Sequence, residues 1–177
     1  MFPATAVVLG AAYTLTGRVA EAVSLRTQAM EQTAVLERGD LPALCLLPLG
    51  EVHLRAGHLE QAHALAKQAL ELTRAHQERG NEADALRLFG EIGPQQEPPE
   101  IEQAEAYYQQ ALALAEELGM RPLQAHCPLG LGTLYTKTGQ QVLARTELST
   151  VIERYRAMDM TFWLPQAEGA LAQMDAR

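Results

Sequence analysis

Leu131-Gly-Thr-Leu-Tyr-Thr-Lys-Thr-Gly139-Gln-Gln-Val-Leu-Ala144 decides how the rest of the chain reads. It sets a glycine three residues before Tyr135, another four after it, and an alanine five residues beyond that. The same punctuation recurs at Leu9, Gly10, Tyr13, Gly17 and Ala22, and again at Leu49, Gly50, His53, Gly57 and Ala62. A degenerate copy runs from Phe89 and Gly90 to Ala104. Ala22, Ala62, Ala104 and Ala144 stand 40, 42 and 40 residues apart. A second series, Gly39, Gly80, Gly119 and Asp159, expected to end the second helix of each unit, is spaced by 41, 39 and 40. Two series sharing one period describe an internal repeat, and hence stacked copies of one small unit.

Each unit reads as two antiparallel helices. Ala6, Leu9 and Tyr13 form one apolar stripe, and Gly17 ends that helix because glycine accepts the left-handed C-cap conformation. Ala22, Leu25, Ala29 and Met30 form the stripe of the second helix, with small residues where the pair approaches closely. Asp40 and Pro42 open repeat two, and Asn81 is expected to cap repeat three. The run Gly93-Pro-Gln-Gln-Glu-Pro-Pro-Glu100 cannot be helix interior and is expected to be a loop. Pro48 and Pro128 fall inside first helices, where bends rather than breaks are expected. The repeats are placed at about 3–39, 40–80, 81–119 and 120–159, with a helix over 160–175 covering the last apolar face. A matching cover before residue 1 is missing from this sequence. That suggests a piece of a longer protein or an N-terminal face used for association.

Composition narrows the classes further. Apolar residues make up 47%, enough for a continuous core, while scarce Val, Ile and Thr runs favour an all-α fold. The net charge of −8 argues against nucleic acid or an anionic membrane as partner. No apolar run is long enough for a membrane span, and no basic segment precedes an apolar stretch as in a signal peptide. Cys45 and Cys127 occupy equivalent places two repeats apart, too far for a disulfide, and are expected as reduced thiols in a cytoplasmic protein.

Leu9-Gly10-x-x-Tyr13 and Leu131-Gly132-x-x-Tyr135, with the alanines at 22, 62, 104 and 144, resemble the tetratricopeptide repeat. His53 and Gly93 stand where that pattern has tyrosine, and the period is about 40 rather than 34. The resemblance implies a right-handed α-solenoid of four helix pairs plus the C-terminal capping helix. Tyr107 to Leu123, His126-Cys127 and Met158-Asp-Met-Thr-Phe-Trp-Leu164 also look like the C-terminal repeat region of bacterial signalling ATPase or nucleotide-cyclase proteins.

Chemistry is sparse. There is no phosphate-cradling Gly-x-x-x-x-Gly-Lys-Ser/Thr motif, and Gly130-Leu-Gly132 reads as helix. His53, His58 and His63 turn by 500° per five-residue step, about 140° net, so they are not expected to converge on one metal. His126 and Cys127 diverge by about 100° as helix neighbours, so no thiol–imidazole pair is expected. Glu100, Glu102, Glu105, Glu116 and Glu117 read as a wet face. No enzyme, cofactor or metal is expected.

What the resemblance implies is surface. First helices of such repeats line the concave side and receive partner peptides. The matching positions are Leu44, Leu47, Glu51, Leu54 and Arg55 in repeat two, Asp84, Arg87 and Glu91 in repeat three, and His126, Leu129, Thr133 and Lys137 in repeat four. Leu44, Leu47 and Leu54 either bind an apolar helix or pack beneath the next repeat. Val7 and Ala11 occupy places that a clamp for C-terminal carboxylates needs polar. The expected function is a non-enzymatic scaffold for a protein or peptide partner. Alternatives are a ligand-sensing regulatory arm of a signalling ATPase, cyclase or transcription regulator, and a homo-oligomerisation module forming a homodimer.

Overall fold

The computed structural model describes residues 9–10, 12–14, 16–36 and 43–175, leaving aside the side chains of 29–36, 44 and 175. Expectations for Ala6, Val7, Ala11, Gly39, Asp40 and Pro42, and for the side chains of Ala29, Met30 and Leu44, lie outside these residues. Eight long helices are described: α1 Val19–Leu36, α2 Ala43–Arg55, α3 Leu59–Ala75, α4 Arg79–Ile92, α5 Ile101–Glu117, α6 Arg121–Lys137, α7 Gln141–Ala157 and α8 Leu164–Asp175. A 3-10 turn, Gly93–Gln95, follows α4. No strand is present among the described residues, and the fold is an all-α helical repeat.

Successive helices pack on one another from α1 to α8. The first helices of neighbouring repeats also meet, α2 with α4 and α4 with α6, and α6 touches α8. That leaves one side of the stack lined by α2, α4 and α6. The small-residue stripes set the spacing. On α3, Ala62, Ala66 and Ala69 are fully buried, and on α5 Ala104, Ala111 and Ala115 are at most 1% exposed. Steps of three and four residues keep them on one face. Alanines there let neighbouring backbones come close, while Leu46, Leu86, Leu88 and Ile92 fill the space between layers.

Turns between helices repeat one geometry. After α2, the Gly57 N–H donates to the Leu54 carbonyl (3.1 Å) and the His58 N–H to the His53 carbonyl (2.9 Å), with Gly57 at φ +78. This two-bond closure satisfies the last carbonyls of the helix and needs a left-handed residue at its centre. After α3 the expectation fails: the left-handed residue is Gln77, at φ 57, not Gly80. The Glu78 N–H reaches the Thr73 carbonyl at 2.8 Å, so the chain has already turned and Gly80 lies in the first turn of α4. Asn81 accordingly caps nothing, and its amide donates to Glu78 Oε2 at 2.8 Å.

Pro48 and Pro128 sit inside α2 and α6, which run through them unbroken. The segment after α4 is a loop, as its prolines require. The Glu100 N–H folds back onto the Gly93 carbonyl at 3.0 Å. A β-carbon on Gly93 would sit 3.0 Å from Ala104 and 3.1 Å from the Glu100 carbonyl oxygen. A tyrosine there, as the repeat pattern has it, would collide with the returning chain. The C-terminal helix starts at Leu164, so Phe162 lies outside it and is 60% exposed.

Candidate functional site

The side lined by the first helices holds a groove of about 600 Å³. Its walls come mainly from the C-terminal halves of α2, α4 and α6, and the longer loop after α4 adds Pro94 and Gln95. At one end, Trp163 and Gln166 close it from the α8 side.

Nine of the twelve residues singled out from the sequence line this groove: Glu51, Leu54, Arg55, Arg87, Glu91, His126, Leu129, Thr133 and Lys137. Leu47 does not; it is 7% exposed and belongs to the core shared with Leu86 and Phe89. Asp84 does not line the groove either; its Oδ1 lies 3.9 Å from Arg87 Nε.

Arg87 is the centre of the floor. Its side chain is 12% exposed, and its guanidinium pairs with Glu91 on its own helix and with Glu51 on α2. Burial opposes its charge, but Glu91, Glu51 and Asp84 together hold it firmly protonated. Arg87 is thus a strut between repeats rather than an open contact. Its carboxylates are spoken for in the same way.

Tyr108 enters the floor from behind. It belongs to α5, yet its ring lies where β-carbons on Gly90 and Gly130 would stand, at 2.8 Å and 2.3 Å. Arg26 of α1 takes the corresponding place against Gly10, at 2.5 Å. Residues from second helices therefore reach the groove at Gly10, Gly90 and Gly130 of the first helices. Sequence reasoning missed both. The signal available was a large residue 16 positions after Gly10 and 18 after Gly90.

His126 is held by Tyr155, its Nδ1 2.8 Å from the hydroxyl, and by Trp163, edge-on at 4.9 Å between ring centres. Burial, helped by the positive charge of Arg87, lowers its pKa to about 4, so the ring is neutral at pH 7. The neighbouring Cys127 is fully buried, and burial pushes its thiol up to about 12. A thiol so far from ionisation is no nucleophile. Arg55 and Lys137 differ from these groups. Both are exposed on the groove wall, and no carboxylate pairs with either among the described residues.

Residues 2–75 match the model of the tetratricopeptide repeat family. Over 97% of its length the chain also superposes on solved repeat structures. One is BtubC from P. vanneervenii, at TM-score 0.64 and 18% identity over 74% of that chain. Another, at TM-score 0.65 and 16% identity over 94% of that chain, is a kinesin light chain candidate from Podosopora anserina with nearly identical TPR-like repeats. The family match covers residues 2–75, under half of the chain, and the likeness to the solved structures extends the TPR-like fold over the rest. No curated protein sequence matches it. Tetratricopeptide repeats are in general protein–protein interaction modules, and no catalytic family is indicated. Among the described residues no helix is long and apolar enough to cross a membrane.

Proposed function

We propose that this repeat stack is a non-enzymatic scaffold that holds a helix or peptide of a partner protein in the groove. The observation that carries this reading is the division of labour among its charges. Among the described residues, Arg26, Arg55, Arg87 and Lys137 line the groove with Glu51 and Glu91 as the carboxylates, in a chain whose net charge is −8. Both carboxylates are engaged with Arg87, so the exposed charge offered to a partner is cationic, at Arg55 and Lys137. Leu54, Leu129 and Trp163 supply apolar wall beside them. A segment with apolar anchors and acidic side chains complements both features. Because α2, α4 and α6 are braced by the core, little order is lost on binding.

The test is direct binding of labelled peptides, by fluorescence polarisation, from a panel that varies acidity at fixed apolar content. Acidic members bind, affinity falls with added salt, and Arg55→Glu with Lys137→Glu abolishes it without changing the helical spectrum. Equal binding of basic and acidic peptides, or indifference to the double replacement, overturns the reading.

A further inference from the structure

The turn between α2 and α3 departs from its counterpart in repeat one in a way that has chemical content. In both turns two backbone bonds fix the last residues of the first helix against the start of the second. The two side chains flanking this closure are thereby brought face to face. In repeat one they are Tyr13 and Arg18, with the guanidinium 4.1 Å from the ring centre. In repeat two they are His53 and His58.

Their Nδ1 atoms lie 3.2 Å apart, whereas the ring centres are 5.4 Å apart. The rings therefore splay away from the two nitrogens, which share one hydrogen bond, one Nδ1 donating and the other accepting; a bound cation would take the place of that proton. The expectation concerned convergence of all three histidines along a helix, whereas this pair meets across a turn. The angle of about 140° applies along one helix, but the turn at Gly57 reverses the chain between His53 and His58. His63 does go elsewhere, edge-on against Phe89 at 5.3 Å.

We propose that His53 and His58 form a two-histidine site for a borderline transition-metal cation such as Zn²⁺ or Cu²⁺. Imidazole nitrogens bind such ions at roughly 2.0–2.1 Å, and two of them 3.2 Å apart subtend about 100° at a shared ion. That angle suits tetrahedral zinc and adjacent positions of tetragonal copper. The backbone closure places both residues before any ion arrives, which lowers the cost of organising the site. No group of three or more His, Cys, Asp or Glu side chains is set to hold a metal among the described residues. The remaining coordination positions are left to water or to a donor from a partner, at a turn whose two histidines flank Arg55 in sequence.

Isothermal titration of the whole chain with zinc chloride, and pulsed electron paramagnetic resonance of its Cu²⁺ adduct, test this. One ion binds per chain, and the copper spectrum carries couplings from two imidazoles. His53→Gln and His58→Gln each weaken binding by more than about tenfold, while His63→Gln and His76→Gln leave it unchanged. Circular dichroism confirms that the variants stay folded. Absence of saturable binding overturns the proposal, as does binding that survives both replacements or depends on His63 or His76.

Discussion

The ring of Tyr108 occupies the space that a β-carbon on Gly130 would fill, 2.3 Å from where that carbon would stand. The same ring lies against Gly90, so one side chain from α5 is wedged between the first helices of two repeats. Gly130→Ala gains about 1 kcal/mol of helix propensity. It also forces a closely packed ring to shift, at about 1–3 kcal/mol. The expected net result is a lower unfolding midpoint in urea. In a Tyr108→Ala background the same replacement becomes neutral or stabilising. A midpoint that rises for Gly130→Ala alone would show that the ring is free to move.

Arg87 and Arg79 both reach carboxylates from another part of the chain, yet they should behave oppositely. Arg87→Met leaves Glu51, Glu91 and Asp84 facing one another without their cation. These carboxylates keep 38–39% exposure, so water recovers part of the loss and the cost is roughly 2–3 kcal/mol. Glu51→Gln costs less, because Arg87 keeps Glu91 and Asp84. Arg79 donates to both oxygens of Glu117 at 2.6 Å, but on the open surface. Arg79→Ala should leave the midpoint within scatter. Denaturation of the three variants side by side decides the ranking.

His126 gives stability a sign with pH. Its pKa is about 4 folded, against 6.5 for the ordinary group, so between those values the unfolded chain binds the extra proton. Stability from this group is complete above about pH 6.5, falls as pH drops through the window, and levels off below about 4. The loss is at most about 3 kcal/mol. The wall around the ring comprises Tyr155, Trp163 and, at longer range, Arg87 and Glu51. His126→Gln should flatten the difference curve over this window. Parallel curves for the two proteins would remove His126 as the cause.

Cys127 should be silent in the native chain. With its thiol fully buried and pushed up to about 12, a Cys45→Ser variant reacts with a disulfide reagent only as fast as the structure opens. Reaction in native buffer at the rate of a small-molecule thiol would mean that α6 is exposed.

The repeat was legible because each of its markers does one local job. Gly17, Gly57, Gly119 and Gly139 all adopt positive φ, between 67 and 79, and each closes a turn. Gly80 misled for the same reason: it belongs to the spacing series, but Gln77 takes the left-handed position and the helix restarts first. The groove positions followed from counting along first helices, which explains why Glu51, Leu54, Arg55 and Lys137 were found. Arg26 and Tyr108 escaped because they arrive through glycine gaps from second helices, a relation between layers that no single-helix pattern contains. His53 and His58 escaped likewise, since a reversal of the chain, and not helical phase, brings them together.

Trp163 is the sole tryptophan of the chain, and it stands at the closed end of the groove with His126 edge-on beside it. Ultraviolet emission from this protein is therefore a local signal rather than an average. It registers when the adjacent imidazole takes a proton, and when anything displaces water from that end of the cleft. Occupancy can be followed by light alone, with no label attached.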